Sequence, residues 1–300
     1  MMTLSPSRLL WQRFVHHHLA VASLTLLVIL AVLSVSAPFI ESLLGVSATD
    51  VDLFNRFSSP SANNPLGTDE LGRDILLRLL YGGQISLFVG ITAALIASLF
   101  GTLIGLMAGF TGGRLDAILM RMTDGVIALP LLPLLIVLAA LDLSKLGLPD
   151  TLINSENISH YRIILIVALA GWTTTARLVR GSTLSLRERN FVLAAKAQGS
   201  SDNRIMFTHI LPNLASPVIV ATTLSVGNII LLESVLSFLG LGIQPPTPSW
   251  GSMLTNAQEL IWDSPVMAFY PGILIFFTVI AFNFVGDGLQ DALNPKNKNS

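Results

Sequence analysis

Six apolar segments, each approaching or exceeding the length needed to cross a bilayer, constrain this chain more than any other feature of its sequence. A helix takes about 20 residues to cross the hydrocarbon core. Charged residues make up 12% of the 300 positions, whereas soluble domains carry about 25%. The sequence therefore predicts an all-α, polytopic membrane protein. Its six spans are expected at about 19–40, 85–110, 125–141, 163–179, 214–239 and 269–285.

The distribution of Lys and Arg predicts that the N- and C-termini both lie in the cytoplasm. With that orientation, 12 of the 17 basic residues fall in cytoplasmic segments and 5 in outer segments, as the positive-inside rule requires. The first span exceeds the length of a signal-peptide core, and Pro38 follows the point where cleavage would occur. We therefore expect this span to be retained. The chain divides into an N-terminal segment, 1–80, and a core of five spans, 81–300.

Two outer segments carry turn and capping signals. Thr68 is a plausible helix N-cap, with Asp69 and Glu70 in the favoured first turn. The apolar residues that follow fall on one face, so we expect an amphipathic helix along the outer surface before the second span. Between the fifth and sixth spans, residues 245–251 form a rigid, Pro-rich stretch that ends near Trp250.

The cytoplasmic loop 177–213 is long and reads as two short helices. The first covers 191–198, and Gly199 is a suitable residue to end it. The second is opened by Ser200, Ser201 or Asp202 and is expected to run to Ile210, with Pro212 closing it before the fifth span. Pattern alone slightly favours an ordinary surface loop. The alternative is a helix that sits in a groove of a soluble partner and passes that partner's movement to the spans.

The sequence offers no catalytic, metal or cofactor site. It has no cysteine, which excludes disulfides and thiolate chemistry, and it has no Gly-rich loop ending in Gly-Lys-Ser/Thr for nucleotide phosphates. His16, His17 and His18 are consecutive, so on a helix they point in three directions and suit chelation poorly. His160 has no other ligand nearby. A net charge of −1 gives no reason to expect nucleic acid.

Glu233 is the single acidic residue inside a predicted span. An intramembrane carboxylate is costly and is a functional candidate by default. It could line a transport passage or bond to a neighbouring helix, and both roles remain open. Asn228 lies on the same predicted helix, one to two turns earlier, and is expected to share its face.

Several motifs together resemble one family of membrane proteins. Residues 194–199, Ala-Ala-Lys-Ala-Gln-Gly, followed by His-Ile-Leu-Pro-Asn at 209–213, resemble the EAA loop of ATP-binding-cassette (ABC) importer permeases. The family usually has Glu where this chain has Leu193, which bears on one polar contact to the ATPase. Segments at 65–74, 79–82, 232–242, 246–251 and 283–295 are similar to the dipeptide and oligopeptide branch, above all to its C-type subunit.

The resemblance implies a type I importer permease in the bacterial inner membrane. In that family the chain forms a heterodimer with a second permease, and an extracytoplasmic binding protein delivers the peptide. Two P-loop ATPase subunits bind ATP and Mg²⁺, so this chain needs no cofactor of its own. The residues expected at the ATPase contact are Arg189, Leu193, Ala194, Ala195, Gly199, Arg204, His209 and Pro212; Pro248 and Trp250 are candidates for docking the binding protein.

Two alternatives to peptide import remain. Relatives in the same branch carry nickel chelates, oligosaccharides, opines or antimicrobial peptides, and nothing in the sequence separates these cargoes. A gradient-driven secondary transporter is a more distant alternative, because such proteins show paired repeats and several intramembrane charges, whereas this chain has one such charge and no repeat.

Overall fold

The computed structural model describes residues 6–141, 149, 158–255, 257–262 and 264–293. Almost all regular structure in these ranges is helical. The helices are α1 (Pro6–His16), α2 (His18–Val35), α3 (Ala37–Leu44), α4 (Ile75–Thr111), α5 (Gly113–Ala128), α6 (Leu131–Ala140), α7 (Ile158–Arg187), α8 (Asn190–Ala197), α9 (Asp202–Phe238), α10 (Ala257–Leu260) and α11 (Val266–Leu293). Two 3₁₀ turns cover Leu53–Asn55 and Ser252–Leu254.

Five of these helices are long and apolar enough to cross a membrane, namely α2, α4, α7, α9 and α11. They confirm five of the six predicted spans. The remaining prediction, 125–141, falls on α5 and α6, which meet at an angle of 87° and make a sixth span only if counted together. Pro130 stands at this break, and a proline disfavours helical geometry at the residue before it. Leu129 accordingly has extended backbone angles, φ −74° and ψ 138°.

The predicted outer helix beginning at Thr68 is wrong. Thr68 instead forms an isolated antiparallel bridge with Asp74. Asp74 is the true N-cap, and its carboxylate accepts a hydrogen bond of 2.7 Å from the backbone N–H of Leu77. From Ile75 the chain runs as one uninterrupted helix of 37 residues, so the expected surface helix is the buried first part of α4.

The loop predicted over 177–213 is shorter than expected. α7 continues to Arg187, and the first short helix, α8, lies where the sequence predicts it. The second does not end at Pro212, since α9 continues to Phe238. A π-helical stretch, Ile205–Ile210, precedes this proline, and Leu211 N–H bonds to Met206 O. This wider turn accommodates a residue that has no N–H to give to the regular ladder.

α4 and α7 form the most extensive helix contact in the described bundle. Three glycines spaced four apart on α4 make it possible. A Cβ at Gly101 would lie 2.5 Å from Trp172 O, and one at Gly105 would lie 2.4 Å from Ala176 O. Gly109 meets Thr183 in the same way. Small residues let membrane helices approach closely and gain van der Waals contact. α9 packs on α4, and α11 packs on α9 and α2.

Candidate functional site

Three features lie at different heights along the bundle. One end, where α4 begins and residues 240–255 fold back on it, is called the Trp250 end. The other, where α4 ends and α8 lies, is called the α8 end. Between them α9 presents a polar surface around Asn228.

At the α8 end, α8 rests on the first turns of α9. Val192 and Ala195 are buried, and they share one apolar cluster with Ile205 and Ile210 of α9. Leu214 of α9, Leu106 of α4 and Val179 of α7 complete the cluster. α8 is therefore fixed by its own small core to three of the membrane helices, and a displacement of α8 must move them.

The opposite face of α8 is uncovered. Leu193 is 53% exposed and Phe191 is 42% exposed, and Ala194 is also exposed. The alanine pair that the sequence treats as one feature thus divides between two faces, since Ala195 packs inward. An exposed apolar strip beside a cation, Lys196, is a typical contact surface for a partner protein.

The remaining residues expected at this contact surround α8. Arg189 stands at its N-cap position, Arg204 lies in the first turn of α9, and both are exposed, as is Pro212. His209 is half-buried, and its carbonyl accepts a hydrogen bond of 2.7 Å from the Asn213 side chain. Gly199 ends α8 with φ +79°, and no atom lies within 4 Å of where its Cβ would be.

Ion pairs near the α8 end tie α5 to α7, which sequence reasoning did not foresee. Arg180 Nε and Nη2 donate to the two oxygens of Asp116 at 2.5 and 2.6 Å. Arg177 Nη2 donates to Asp124 at 2.6 Å. The spacing of Arg177 and Arg180 on one helix, and of Asp116 and Asp124 on another, gives no signal by itself, because it does not say which helices become neighbours. Bidentate Arg–carboxylate pairs are among the stronger polar contacts.

At the Trp250 end, Glu233 is fully buried. Its Oε1 accepts hydrogen bonds from Ser237 at 2.7 Å and Ser249 at 2.8 Å, and its Oε2 accepts one from Ser86 at 3.3 Å. Three hydroxyl donors compensate part of the cost of removing a carboxylate from water. They belong to α4, α9 and the loop that follows α9, so the carboxylate joins all three.

Each of the three serines also accepts a hydrogen bond from the backbone of the loop or of the turn within it. Trp250 N–H donates to Ser86 at 3.1 Å, Ile243 N–H to Ser237 at 3.1 Å, and Ser252 N–H to Ser249 at 3.0 Å. Every hydroxyl therefore gives its proton to Glu233 and receives one from a backbone amide. Sequence reasoning identified the carboxylate but not its partners, which lie up to 147 residues away.

The two docking candidates of the sequence are interior residues. Trp250 is 1% exposed, and its Nε1 donates to Leu79 O at 2.9 Å. Pro248 is also buried. Within residues 244–250 the exposed part is Gln244, Pro245 and Pro246.

Asn228 differs from Glu233 in surroundings. It is exposed, and it lines an open concavity of about 610 Å³ between α7, α9 and the end of α11. The two residues do not share a face, because five helical positions separate them by about 140° around the axis. The polar groups of this concavity are uncharged: Thr174, Ser216, Ser225, Asn228 and Gln290.

The described residues contain no group of three or more His, Cys, Asp or Glu side chains placed to hold a metal ion. His17 approaches Asp291 at 3.8 Å, which joins α2's N-terminus to α11. His160 is buried in α7.

Comparison with known proteins gives two matches to family models. Residues 101–299 match the binding-protein-dependent transport system inner membrane component, and residues 5–59 match the N-terminal transmembrane domain of oligopeptide transport permease C. The chain is 38% identical over 294 residues to the dipeptide transport system permease protein DppC of Alkalihalophilus pseudofirmus, covering 98% of this chain and 91% of that protein.

Two further relatives are similar over nearly the whole chain. The glutathione transport system permease protein GsiD of Pectobacterium atrosepticum is 38% identical over 294 residues, which cover 98% of this chain and 92% of that protein. The oligopeptide transport system permease protein OppC of Bacillus subtilis is 38% identical over 284 residues, which cover 95% and 88%.

Proposed function

This chain belongs to the family of binding-protein-dependent transport system inner membrane components, and from that premise we propose that it forms one half of the membrane passage of an ABC importer for short peptides. It is a multi-pass permease subunit, and family membership implies a binding protein and ATPase subunits as partners. The feature that carries the proposal is α8, a short helix with an uncovered apolar face and a buried face fixed to α4, α7 and α9.

We assign peptides as the cargo for two reasons. The relatives named above are named for dipeptides, oligopeptides and glutathione. The concavity beside Asn228 offers hydroxyl and amide groups without charge. Such groups can donate and accept hydrogen bonds to any peptide backbone, and they hold no particular side chain tightly.

The α8 end faces the cytoplasm in this proposal, in agreement with the positive-inside rule. ATPase subunits hold α8 by Phe191, Leu193 and Ala194, so the contact is apolar at the position where the family usually has Glu. When two ATPase subunits close on ATP and Mg²⁺, they displace α8. The buried cluster passes the displacement to α9, and the passage formed with a second, homologous permease opens toward the outside.

The Trp250 end then faces the binding protein, which contacts Gln244, Pro245 and Pro246. Glu233 serves to hold the loop that presents these residues and does not touch cargo. The division into segments 1–80 and 81–300 remains a prediction, and α4 runs through residue 80 without a break.

The test is recovery of the complex followed by transport. The chain is tagged at its C-terminus, solubilised from native membranes, and its partners are identified by mass. We expect a second permease and P-loop ATPases, and we expect proteoliposomes of the complex to accumulate a labelled dipeptide only with binding protein and ATP. Recovery of the chain alone, under conditions that keep a known importer intact, would contradict the proposal and favour a gradient-driven transporter.

A further inference from the structure

A cavity of about 380 Å³ lies at the Trp250 end, between the segment 69–78 and the loop after α9. Its charged wall is formed by Asp69, Glu70, Arg73 and Arg78. The opposite wall is largely apolar, with Ile243, Met253 and Met267, and its rim includes the exposed Gln244, Pro245 and Pro246. None of its lining residues belongs to the concavity beside Asn228.

Asp69 is fully engaged within the protein. Its Oδ1 accepts from the backbone N–H groups of Leu71 and Arg73 at 2.9 and 3.0 Å. Its Oδ2 accepts from Arg73 Nε and Nη2, both at 2.7 Å, and lies 3.2 Å from Arg78 Nε. Arg73 Nη2 also reaches Glu70 at 3.3 Å. Arg73 is thus paired with two carboxylates, those of Asp69 and Glu70. Arg78 is paired with Asp69 alone, through its Nε.

Arg78 lines this wall and keeps an unused donor just beneath its surface. The residue is 7% exposed, and its Nη1 is buried without a hydrogen-bond partner among the described residues. Asp74 does not line the cavity; its Oδ1 accepts from Leu77 N–H, and its Oδ2 is likewise buried without a hydrogen-bond partner among the described residues. An unpaired buried donor is expensive, and a charged one more so. An anion at the wall would complete this arrangement once the guanidinium turns the unpaired nitrogen toward it.

We propose that this cavity is a carboxylate-binding site, with Arg78 as the principal donor. A guanidinium edge matches a planar carboxylate. The two acids and two arginines of the wall balance, so the wall has no net charge and a singly charged carboxylate is less costly to place here than a phosphate. The apolar wall opposite suits a carboxylate that is attached to an apolar group.

The carboxylate has two possible sources at this end of an importer, and this step rests on the proposed function. One is the terminal carboxylate of the peptide as it leaves the binding protein. The other is an acidic side chain on the binding protein itself. Both present the same chemistry to Arg78, and the experiment below separates them.

The first measurement is equilibrium binding without ATP, on the complete complex in nanodiscs, by ligand-observed NMR. The probes are N-acetyl-leucine and its amide, which differ only in charge at the carboxyl group. We expect the acid to bind and the amide not to bind. Arg78→Lys keeps the charge but loses the fork of donors, so it should weaken binding of the acid by roughly tenfold.

Two further variants guard against a folding artefact. Thr247→Phe fills the cavity while leaving the arginines in place, and it should remove acid binding. Arg56→Gln alters an arginine that is exposed and outside the cavity, and it should leave binding unchanged. Equal behaviour of acid and amide on the wild-type complex, including no binding of either, overturns the proposal, as does unchanged binding in Arg78→Lys.

The second measurement identifies the source. If the cargo supplies the carboxylate, the wild-type complex takes up a peptide acid faster than its C-terminal amide, and Arg78→Lys erases that preference. If the binding protein supplies it, Arg78→Lys weakens binding-protein affinity and leaves the preference between the two peptides as it was. Binding of N-acetyl-leucine is read without transport, so failure of this site and failure of the importer assignment give different results.

Discussion

At the scale of single residues, Glu233 shows how a carboxylate persists inside a membrane helix. Isolated, a buried charge would be strongly destabilising. Here three serine hydroxyls donate to it, and each hydroxyl is oriented by a backbone amide. The carboxylate therefore acts as the common acceptor that holds the loop after α9 against α4.

Replacing Glu233 separates a structural role from a role in the pathway. Glu233→Leu leaves three buried hydroxyls without their acceptor and should destabilise the complex by about 2–5 kcal/mol. Glu233→Gln keeps one carbonyl acceptor for Ser237 and Ser249 and should cost less. The measurement is thermal inactivation of the purified complex, together with uptake per folded complex. A normal melting temperature with lost uptake in Glu233→Gln would point to cargo contact.

Position 199 requires glycine because of its backbone angles, and not because a side chain there would collide with other atoms. Its φ is +79°, and a Cβ would meet no atom within 4 Å. Gly199→Val should therefore cost about 1–2 kcal/mol in the turn between α8 and α9 and reduce ATP-driven uptake. Gly199→Asn is the matched control, because Asn tolerates this region far better, and it should retain most activity. Equal loss in both variants would mean that the side chain blocks the ATPase and that the turn is not strained.

At the scale of helices, the seam between α4 and α7 depends on Gly101, Gly105 and Gly109. Gly105→Ala would place a Cβ 2.4 Å from Ala176 O, so the two helices must separate. We expect a loss of about 1–3 kcal/mol, seen as a lower melting temperature and less folded protein. Gly181→Ala, on α7 where nothing lies within 4 Å, should be neutral or stabilising by up to about 1 kcal/mol. Equal behaviour of the two variants would show that the seam is loose.

The two faces of α8 can be tested because the chain has no cysteine of its own. Ala194→Cys should react with a maleimide in the isolated permease and be protected when ATPase subunits are bound. Ala195→Cys should stay unreactive in both states, because that position is buried. If Ala194→Cys reacted equally with and without bound ATPase subunits, the exposed face of α8 would be excluded from the contact.

Hydropathy predicts most of the bundle. An apolar segment that crosses the bilayer must satisfy its own backbone hydrogen bonds, so it is a helix along its whole length. Prediction from hydropathy fails at residues whose type is compatible with two different backbone structures. Thr68 and Asp74 are both good N-caps, and only tertiary contacts decide for Asp74. Pro130 breaks a span, whereas Pro212 sits in a continuous helix because a π-helical turn precedes it. The sequence shows the proline in each case but not the backbone around it.

The candidate site was predictable to a different degree in each part. Helix α8 follows from local signals, namely its alanines and Gly199. Which of the two alanines of α8 faces inward depends on Ile205 and Ile210, which lie on the next helix along the chain and pack against Ala195. The contact of Glu233 with Ser86 and the cavity at Arg78 depend on segments more than a hundred residues apart. Contacts between such distant segments produce no periodic pattern in a single sequence.

At the scale of the whole molecule, α4 and α7 connect two ends with different construction. The Trp250 end is held by buried hydrogen bonds around Glu233, which favour a fixed shape. The α8 end is held by an apolar cluster and by the Arg177–Asp124 and Arg180–Asp116 ion pairs, in which Arg177 is half exposed. Partly solvated pairs cost little to exchange, so movement driven by a partner is expected at the α8 end.

The polar concavity beside Asn228 is the part of the bundle where a second permease would complete the passage. An exposed amide in the span α9 would be unfavourable against lipid, so this face requires either a partner or water. Asn228→Trp places a large side chain there and should reduce peptide uptake by about tenfold or more, as a narrowed pore does. ATPase activity stimulated by the binding protein should continue, because the α8 contact is untouched. Leu99→Trp, at a 61% exposed apolar position on α4, is the control for bulk and should transport normally. Equal uptake in both variants would place the passage on another face of the bundle.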